Sequence, residues 1–284
     1  MPRVLIAGCG FVGLATARLF HNGGWEVIGC THSGESAARL QEEPFMVEAC
    51  DFADRSALAA KASGWRGFNA VIHCASSGKG GVEAYRRVYL EGARNLSELL
   101  EPARLVFTGS TSVYAQTTGE WVTEESAAEP DRETGKVLRE TEELVLATGG
   151  AVARLAGIYG PGRSVLLRKF LADEALIEGG GERWINQVHR ADIAAALLTL
   201  VQSGARGLFN VSDDQPIRQR ELYAWLAERF HRPLPPSGPV DSNRKRGWTN
   251  KRVSNSRLRA LGWAPRYPSF FDAVANDREL VAGV

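Results

Sequence analysis

The stretch Val4-Leu5-Ile6-Ala7-Gly8-Cys9-Gly10-Phe11-Val12-Gly13-Leu14-Ala15 decides the fold. Four apolar residues form a strand suited to burial on both faces, and three glycines in the spacing G-x-G-x-x-G follow without a gap. An apolar-periodic helix then opens at Phe11. A phosphate-cradling turn asks for this order. Gly8 makes the tight turn, Gly10 lets backbone approach a pyrophosphate, and Gly13 lets the helix pack on the sheet. The helix start also presents unpaired amides and a positive dipole end, so Phe11 and Val12 join the three glycines as candidate dinucleotide contacts.

The rest of the first half keeps that rhythm. Strand-sized apolar runs at Arg3–Ala7, Glu26–Cys30, Phe45–Ala49, Ala70–Cys74, Arg104–Thr108 and Ala151–Ala156 alternate with helical patterns. The helices are expected over 11–22, 35–42, 54–62, 81–101 and 135–147. Such alternation predicts an α/β fold: a Rossmann-type doubly wound parallel sheet covered by helices on both faces. Beyond Ala156 the pattern loosens into a glycine-rich stretch, a helix at 190–202, a strand at Gly207–Val211 and a helix at 218–230. A Pro-rich break at 232–240 precedes small helices and turns. The expected division is a dinucleotide-binding domain from 1–156 and 187–211, with a smaller substrate lobe from 157–186 and 212–284.

Composition sets the outer limits. The 284 residues are 44% hydrophobic and 24% charged, with 34 basic against 33 acidic side chains. This is the balance of an ordinary globular protein, with no net field to draw it to nucleic acid or an anionic membrane. No apolar run approaches the roughly 18–20 residues of a membrane span, and the N-terminus reads as mature and cytoplasmic. No His, Cys and carboxylate cluster has metal-ligand spacing, so no metal is expected.

The second strand ends Gly29-Cys30-Thr31-His32-Ser33, without the carboxylate that normally bonds both ribose hydroxyls of NAD. Thr31, His32 and Ser33 are candidate donors to a 2′-phosphate, with Arg39 one helix onward, so the reading is NAD(P) with a preference for NADP. Asp51, past the third strand, is placed either to bond the adenine amino group or to cap the helix that follows. Its neighbour Phe52, with Cys74 and Ala75 after the fourth strand, completes the expected cofactor contacts.

Taken together, several motifs resemble the NAD-dependent epimerase/dehydratase family, within the extended and atypical branches of the short-chain dehydrogenase/reductase superfamily. They are the glycine loop, Val71-Ile72-His73-Cys74-Ala75, Thr108-Gly109-Ser110-Thr111-Ser112-Val113-Tyr114, 154–162 (RLAGIYGPG), Val188-His189-Arg190-Ala191-Asp192 and Leu261-Gly262-Trp263-Ala264-Pro265. The family loop is usually GxxGxxG, so the spacing here already departs from it. The resemblance implies carbonyl or alcohol oxidoreduction, often on a nucleotide sugar, by a serine or threonine, a YxxxK tyrosine and lysine, and often an asparagine. Ser110 matches the serine and Lys136 the lysine. The tyrosine position holds Arg132 and the asparagine position Tyr89. The atypical branch includes members that keep the fold and lack the tyrosine, and this chain is most similar to those.

A guanidinium stays protonated at any working pH and cannot shuttle a proton as a phenol does. Three repairs stay open: another tyrosine (Tyr89, Tyr114 or Tyr159) reaches the site, substrate or water supplies the acid, or there is no turnover. Two functions follow. One is an NAD(P)-dependent oxidoreductase of epimerase/dehydratase type acting on a small polar, anionic or nucleotide-sugar-like substrate. The other is a non-catalytic NAD(P)-binding sensor or partner-binding module. The resemblance also implies a homodimer through helices 81–101 and 135–147.

The remaining candidates have plainer alternatives. Ser110 orients a substrate carbonyl or bonds a polar turn. Lys136 holds the nicotinamide ribose or pairs with Glu140 on the surface. His73 reads as a structural donor, and His189 with Asp192 as a capping arrangement. Cys9, Cys30, Cys50 and Cys74 fall at neighbouring strand ends and are expected to cluster near the cofactor edge as small apolar filler. From Ser242 to Phe271 there are eight Arg/Lys (244, 245, 246, 251, 252, 257, 259, 266) and no acid. That segment either grips a substrate anion or forms a solvated basic surface.

Overall fold

The structure is a computed structural model in which residues 1–78, 80–241 and 248–283 are described. Seven strands form one sheet: β1 (Arg3–Ala7), β2 (Glu26–Thr31), β3 (Met46–Ala49), β4 (Ala70–His73), β5 (Leu105–Ser110), β6 (Ala151–Leu155) and β7 (Gly207–Val211). Their order is β7-β6-β5-β4-β1-β2-β3, and every pairing is parallel. The chain winds outward from β1 in one direction through β2 and β3, then restarts beside β1 with β4. At this reversal Ala7 sits in register with Cys30 on one side and His73 on the other. A crevice opens there past the strand ends, where open α/β sheets bind their ligands.

Side-chain alternation explains the two covered faces. Leu5 points with Ile28, Val71 and Phe107 into one apolar layer, while Val4 and Ile6 point with Phe20, Ile72 and Val106 into the other. Helices α1 (Phe11–Asn22) and α7 (Arg190–Gln202) pack side by side over the second layer. The first layer lies under α3 (Arg55–Ala62), α5 (Glu133–Ala147) and the long helical segment α4, residues 82–100. A third apolar cluster joins Tyr159, Leu167, Phe170, Ile217, Leu222 and Phe270 beyond the sheet, under α6 (Val165–Leu171) and α8 (Gln219–Phe230). Trp263 and Leu258 of the C-terminal stretch pack instead on the sheet's second layer.

Local chemistry fixes the element ends. Asp54 caps α3 by accepting from the amides of Ser56 (2.8 Å) and Ala57 (3.2 Å). Asp51 therefore does not cap that helix. His189 caps α7, its Nδ1 accepting from the Ala191 amide at 3.2 Å, while the Asp192 carboxylate accepts from the amides of Arg266 (2.6 Å) and Tyr267 (3.2 Å) and so pins the C-terminal stretch.

Three expectations shift. Helix α2 covers only Gly34–Ala38, because Ser33 caps a short turn and no residue in it is buried to hold a longer one. Strand β5 runs two residues beyond its expected end, since Gly109 and Ser110 pair with Arg154 and Leu155. Helix α4 contains a π-helical turn at Arg86–Glu91. Its wider spacing puts the Val88 carbonyl 3.0 Å from His73 Nε2 at the end of β4.

Candidate functional site

The glycine loop is built by steric necessity at two of its three glycines. Gly8 has φ +104, and a Cβ there would lie 2.4 Å from the Ala75 amide nitrogen. A Cβ on Gly13 would lie 2.0 Å from the Gly8 carbonyl oxygen. The loop is also tied to β2, with the Gly8 and Cys9 amides donating to the Cys30 carbonyl at 3.0 and 2.8 Å. Gly10 differs. Among the described residues nothing lies within 4 Å of its Cβ position, and no side chain caps α1. An open space thus faces first-turn amides at the positive end of a 12-residue helix. The Phe11 ring is flanked by the guanidinium groups of Arg163 (5.2 Å) and Arg190 (4.7 Å), which adds two cations beside that space.

At the far end of the crevice the candidate donors are partly spent. Thr31 Oγ1 donates to the Ser33 carbonyl at 3.1 Å, and Ser33 Oγ caps α2. His32 stays exposed, with Nδ1 3.7 Å from Asp51. Asp51 also pairs with Arg87, and Arg39 with Glu35 at 2.7 Å. Phe52 is buried edge-on to His73, 5.1 Å between ring centres. Burial lowers the His73 pKa to about 4, so the ring is neutral and structural. The four cysteines do gather at the strand ends: Cys30 Sγ lies 3.3 Å from the Cys50 carbonyl, and Cys9 Sγ packs on Gly29. Burial pushes the Cys9 thiol up to about 12 and raises Cys74 as well, which suits packing rather than nucleophilic work.

Ser110 ends β5 at the floor of a cleft of about 390 Å3. Its hydroxyl accepts from the Ser112 amide at 3.2 Å. Tyr159, Arg163, Arg183, Asn186, Gln187 and Lys251 form much of the wall, and among the described residues no Asp or Glu lines the cleft. A neighbouring cavity of about 320 Å3 shares Ser112 and Thr249 with it and holds Arg132. Lys136 lines neither cavity. It is exposed and paired with Glu133 at 2.7 Å rather than with Glu140, which Arg86 takes at 2.8 Å.

The tyrosines separate by environment. Tyr114 is fully buried, its hydroxyl bonded to the Thr123 carbonyl, Asn210 Oδ1 and Arg154 Nη1 at 2.8–2.9 Å. Arg154 is in turn held by Glu142 through two bonds of 2.9 and 2.7 Å. Tyr114 is thus a strut in a buried polar network, raised in pKa by burial, and not an acid for the cleft. Tyr89 accepts from the Ser77 amide at 3.3 Å and lines neither cavity. Tyr159 lines the Ser110 cleft, but its hydroxyl is buried without a hydrogen-bond partner among the described residues, and burial together with Asp213 raises its pKa far above the usual phenol range.

Among the described residues, the basic C-terminal segment does not form one patch. Arg244, Lys245 and Arg246 lie outside the described residues. Arg252 stacks on Trp121 and Trp184, Arg257 pairs with Glu125 at 2.9 Å, and Arg259 lies 3.5 Å from Asp214. Lys251 alone among the described ones lines the cleft. Its place there, with those of Arg163 and Arg183, was not visible in spacing, because the three come from separate segments.

This geometry belongs to a recognisable class, a parallel doubly wound sheet with a glycine turn at its reversal point. The chain belongs to the NAD-dependent epimerase/dehydratase family, whose model matches residues 4–212. It is 29% identical to Protein YeeZ of Escherichia coli over 94% of this chain and 97% of that protein. A solved Methylobacillus flagellatus protein assigned to the NAD-dependent epimerases/dehydratases is 30% identical, with a TM-score of 0.79 over 99% of this chain and 98% of that one. The fold alone is shared with dTDP-glucose 4,6-dehydratase of Bacillus anthracis, solved with NAD, at 17% identity and a TM-score of 0.81 over 100% and 96% of the two chains.

Proposed function

We propose that the chain binds an NAD(P) dinucleotide across the strand ends and acts as an oxidoreductase of epimerase/dehydratase type on a small anionic substrate in the Ser110 cleft. The observation that carries this reading is the contrast within the glycine loop. Gly8 and Gly13 are filled against by protein, whereas Gly10 faces open space at an uncapped helix start. A pyrophosphate fits that space, held by the first-turn amides of Phe11, Val12 and Gly13 with Arg163 and Arg190 near by. Asp51, Phe52, Cys74 and Ala75 would border the adenosine, with Arg87 releasing Asp51 to bond the adenine amino group. A bound dinucleotide supplies hydride donation or acceptance at its nicotinamide. Ser110 would then orient the substrate oxygen, and the acid-free, arginine-bearing wall would hold a substrate anion. The preference for NADP rests on the missing carboxylate at the end of β2 and on the exposed His32, because Thr31 and Ser33 are engaged elsewhere and Arg39 is paired with Glu35.

Calorimetric titration with NADH and NADPH tests the reading: micromolar binding with NADPH the tighter is expected, and no binding of either dismisses it. The non-catalytic sensor keeps one observation in its favour, since Arg132 stands at the tyrosine position and Lys136 is exposed in a surface pair. Tight dinucleotide binding without reduction of any carbonyl compound would select that reading. The smaller lobe of 157–186 and 212–284 and a homodimer through helices 81–101 and 135–147 belong to the same proposal; sedimentation at micromolar concentration tests the dimer.

A further inference from the structure

Lys251 is 5% exposed, yet it has no carboxylate partner among the described residues. Its ammonium donates to two neutral acceptors, the Tyr114 carbonyl and Thr249 Oγ1, each at 2.9 Å. No acceptor among the described residues takes the third N–H. A lysine this deep is normally paired or neutral, because burying an uncompensated charge is costly. The side chain nonetheless lines the cleft whose floor is Ser110, and its bond to Tyr114 fixes it to the turn that follows Ser110. Among the described residues, the same wall holds two arginines and no acid.

We propose that Lys251, and not a tyrosine, is the proton-bearing group that meets the reacting oxygen of an anionic carbonyl compound in the Ser110 cleft. The proposal rests on the oxidoreductase reading above. Tyr114 is locked in its network, burial together with Asp213 raises the Tyr159 phenol far above the neutral range, and Arg132 and Arg183 cannot give up a proton at working pH. An ammonium can. As the carbonyl becomes an alcohol, with hydride from the reduced dinucleotide, an Nζ–H bond breaks and an O–H bond forms. The neutral amine then regains its proton from water. Burial and the nearby Arg183 charge lower the Lys251 pKa to about 8, with Glu120 acting weakly the other way, so both protonation states are within reach near neutrality. Ser110 would donate to the same oxygen.

Trace acetylation of the full chain with acetic anhydride from pH 6 to 11, read by peptide mass spectrometry, tests this without knowledge of the substrate. The chain has six lysines, so each is resolved as its own internal reference. Lys251 is expected to label from the cleft with a midpoint near pH 8, whereas Lys61 and Lys136, raised by Glu48 and Glu133, label only at higher pH. Inorganic phosphate, as an oxyanion probe, should slow labelling of Lys251 several-fold and leave Lys169 unchanged. Ser110→Leu, which narrows the cleft floor, should protect Lys251 likewise. A Lys251 that never labels in the folded chain, that titrates with the other lysines, or that ignores phosphate overturns the proposal. Calorimetry with NADPH on the wild type and Lys251→Met separates the two readings. Equal NADPH affinity is expected; loss of NADPH binding by both proteins refutes the oxidoreductase reading, whatever the labelling shows.

Discussion

Gly10→Ala should leave the fold intact and remove dinucleotide binding. The backbone at Gly10 has φ −91, which a side chain tolerates, and the added methyl meets no atom within 4 Å. Stability should therefore change by no more than about 0.5 kcal/mol, a shift of roughly 1–2 °C in melting temperature. The methyl would, however, occupy the space assigned to the pyrophosphate. Displacing it forfeits one or two charge-assisted amide contacts at about 1.5–3 kcal/mol each, so NADPH affinity should fall by roughly 10- to 20,000-fold. Gly13→Ala is the control, since its methyl would lie 2.0 Å from the Gly8 carbonyl oxygen and force the loop apart. It should lose both binding and about 1–3 kcal/mol of stability. Thermal melts and calorimetry on the two variants read both quantities. If Gly10→Ala bound NADPH like the wild type at an unchanged melting temperature, the pyrophosphate would not lie over Gly10 and the cradle would be misassigned.

Other expectations concern stability and pH. Glu142→Gln leaves the Arg154 guanidinium buried without its carboxylate and should cost about 3–5 kcal/mol in urea unfolding, with no change in NADPH affinity for the folded fraction. His73, neutral in the fold with a pKa lowered to about 4 from 6.5, contributes stability that is complete above pH 6.5 and lost as pH falls toward 4. That loss is about 3 kcal/mol; His189 acts in the same direction and Asp192, raised to about 6, opposes it. Denaturant midpoints that stay flat between pH 7 and pH 4 would contradict the assignment. Lys136→Ala should alter NADPH affinity by less than about twofold, because its partner is Glu133 on the surface.

The parts of the fold legible in the sequence are those whose cause is local. Strand β1, the glycine turn and α1 follow one another over twenty residues, and each is specified by its own neighbours. Capping by His189 was readable for the same reason. The run past residue 108 in β5 was not, because Gly109 and Ser110 are drawn into the sheet by β6, more than forty residues away. The π-helical turn was hidden by a helical period that tolerates one extra residue. In the cleft, Ser110 was found through a motif, but Lys251 carried no motif and read as one charge among eight. What singles it out is burial without a counter-ion, a property of the folded chain. Tyr114 shows the converse: the sequence left it open as one of three tyrosines that could reach the site, while Asn210, Arg154 and Glu142, all distant in sequence, hold it in place.

The π-helical turn at Arg86–Glu91 also sets a phase. One additional residue in a helix turns everything after it by about 100°, and here that rotation brings Gly92 against Phe52, where a Cβ would sit 2.7 Å from the ring. Deleting a single residue from the turn would rewind the helix into ordinary α spacing and swing its last two turns out of alignment with the sheet. The length of this segment is thus as strictly specified as its composition.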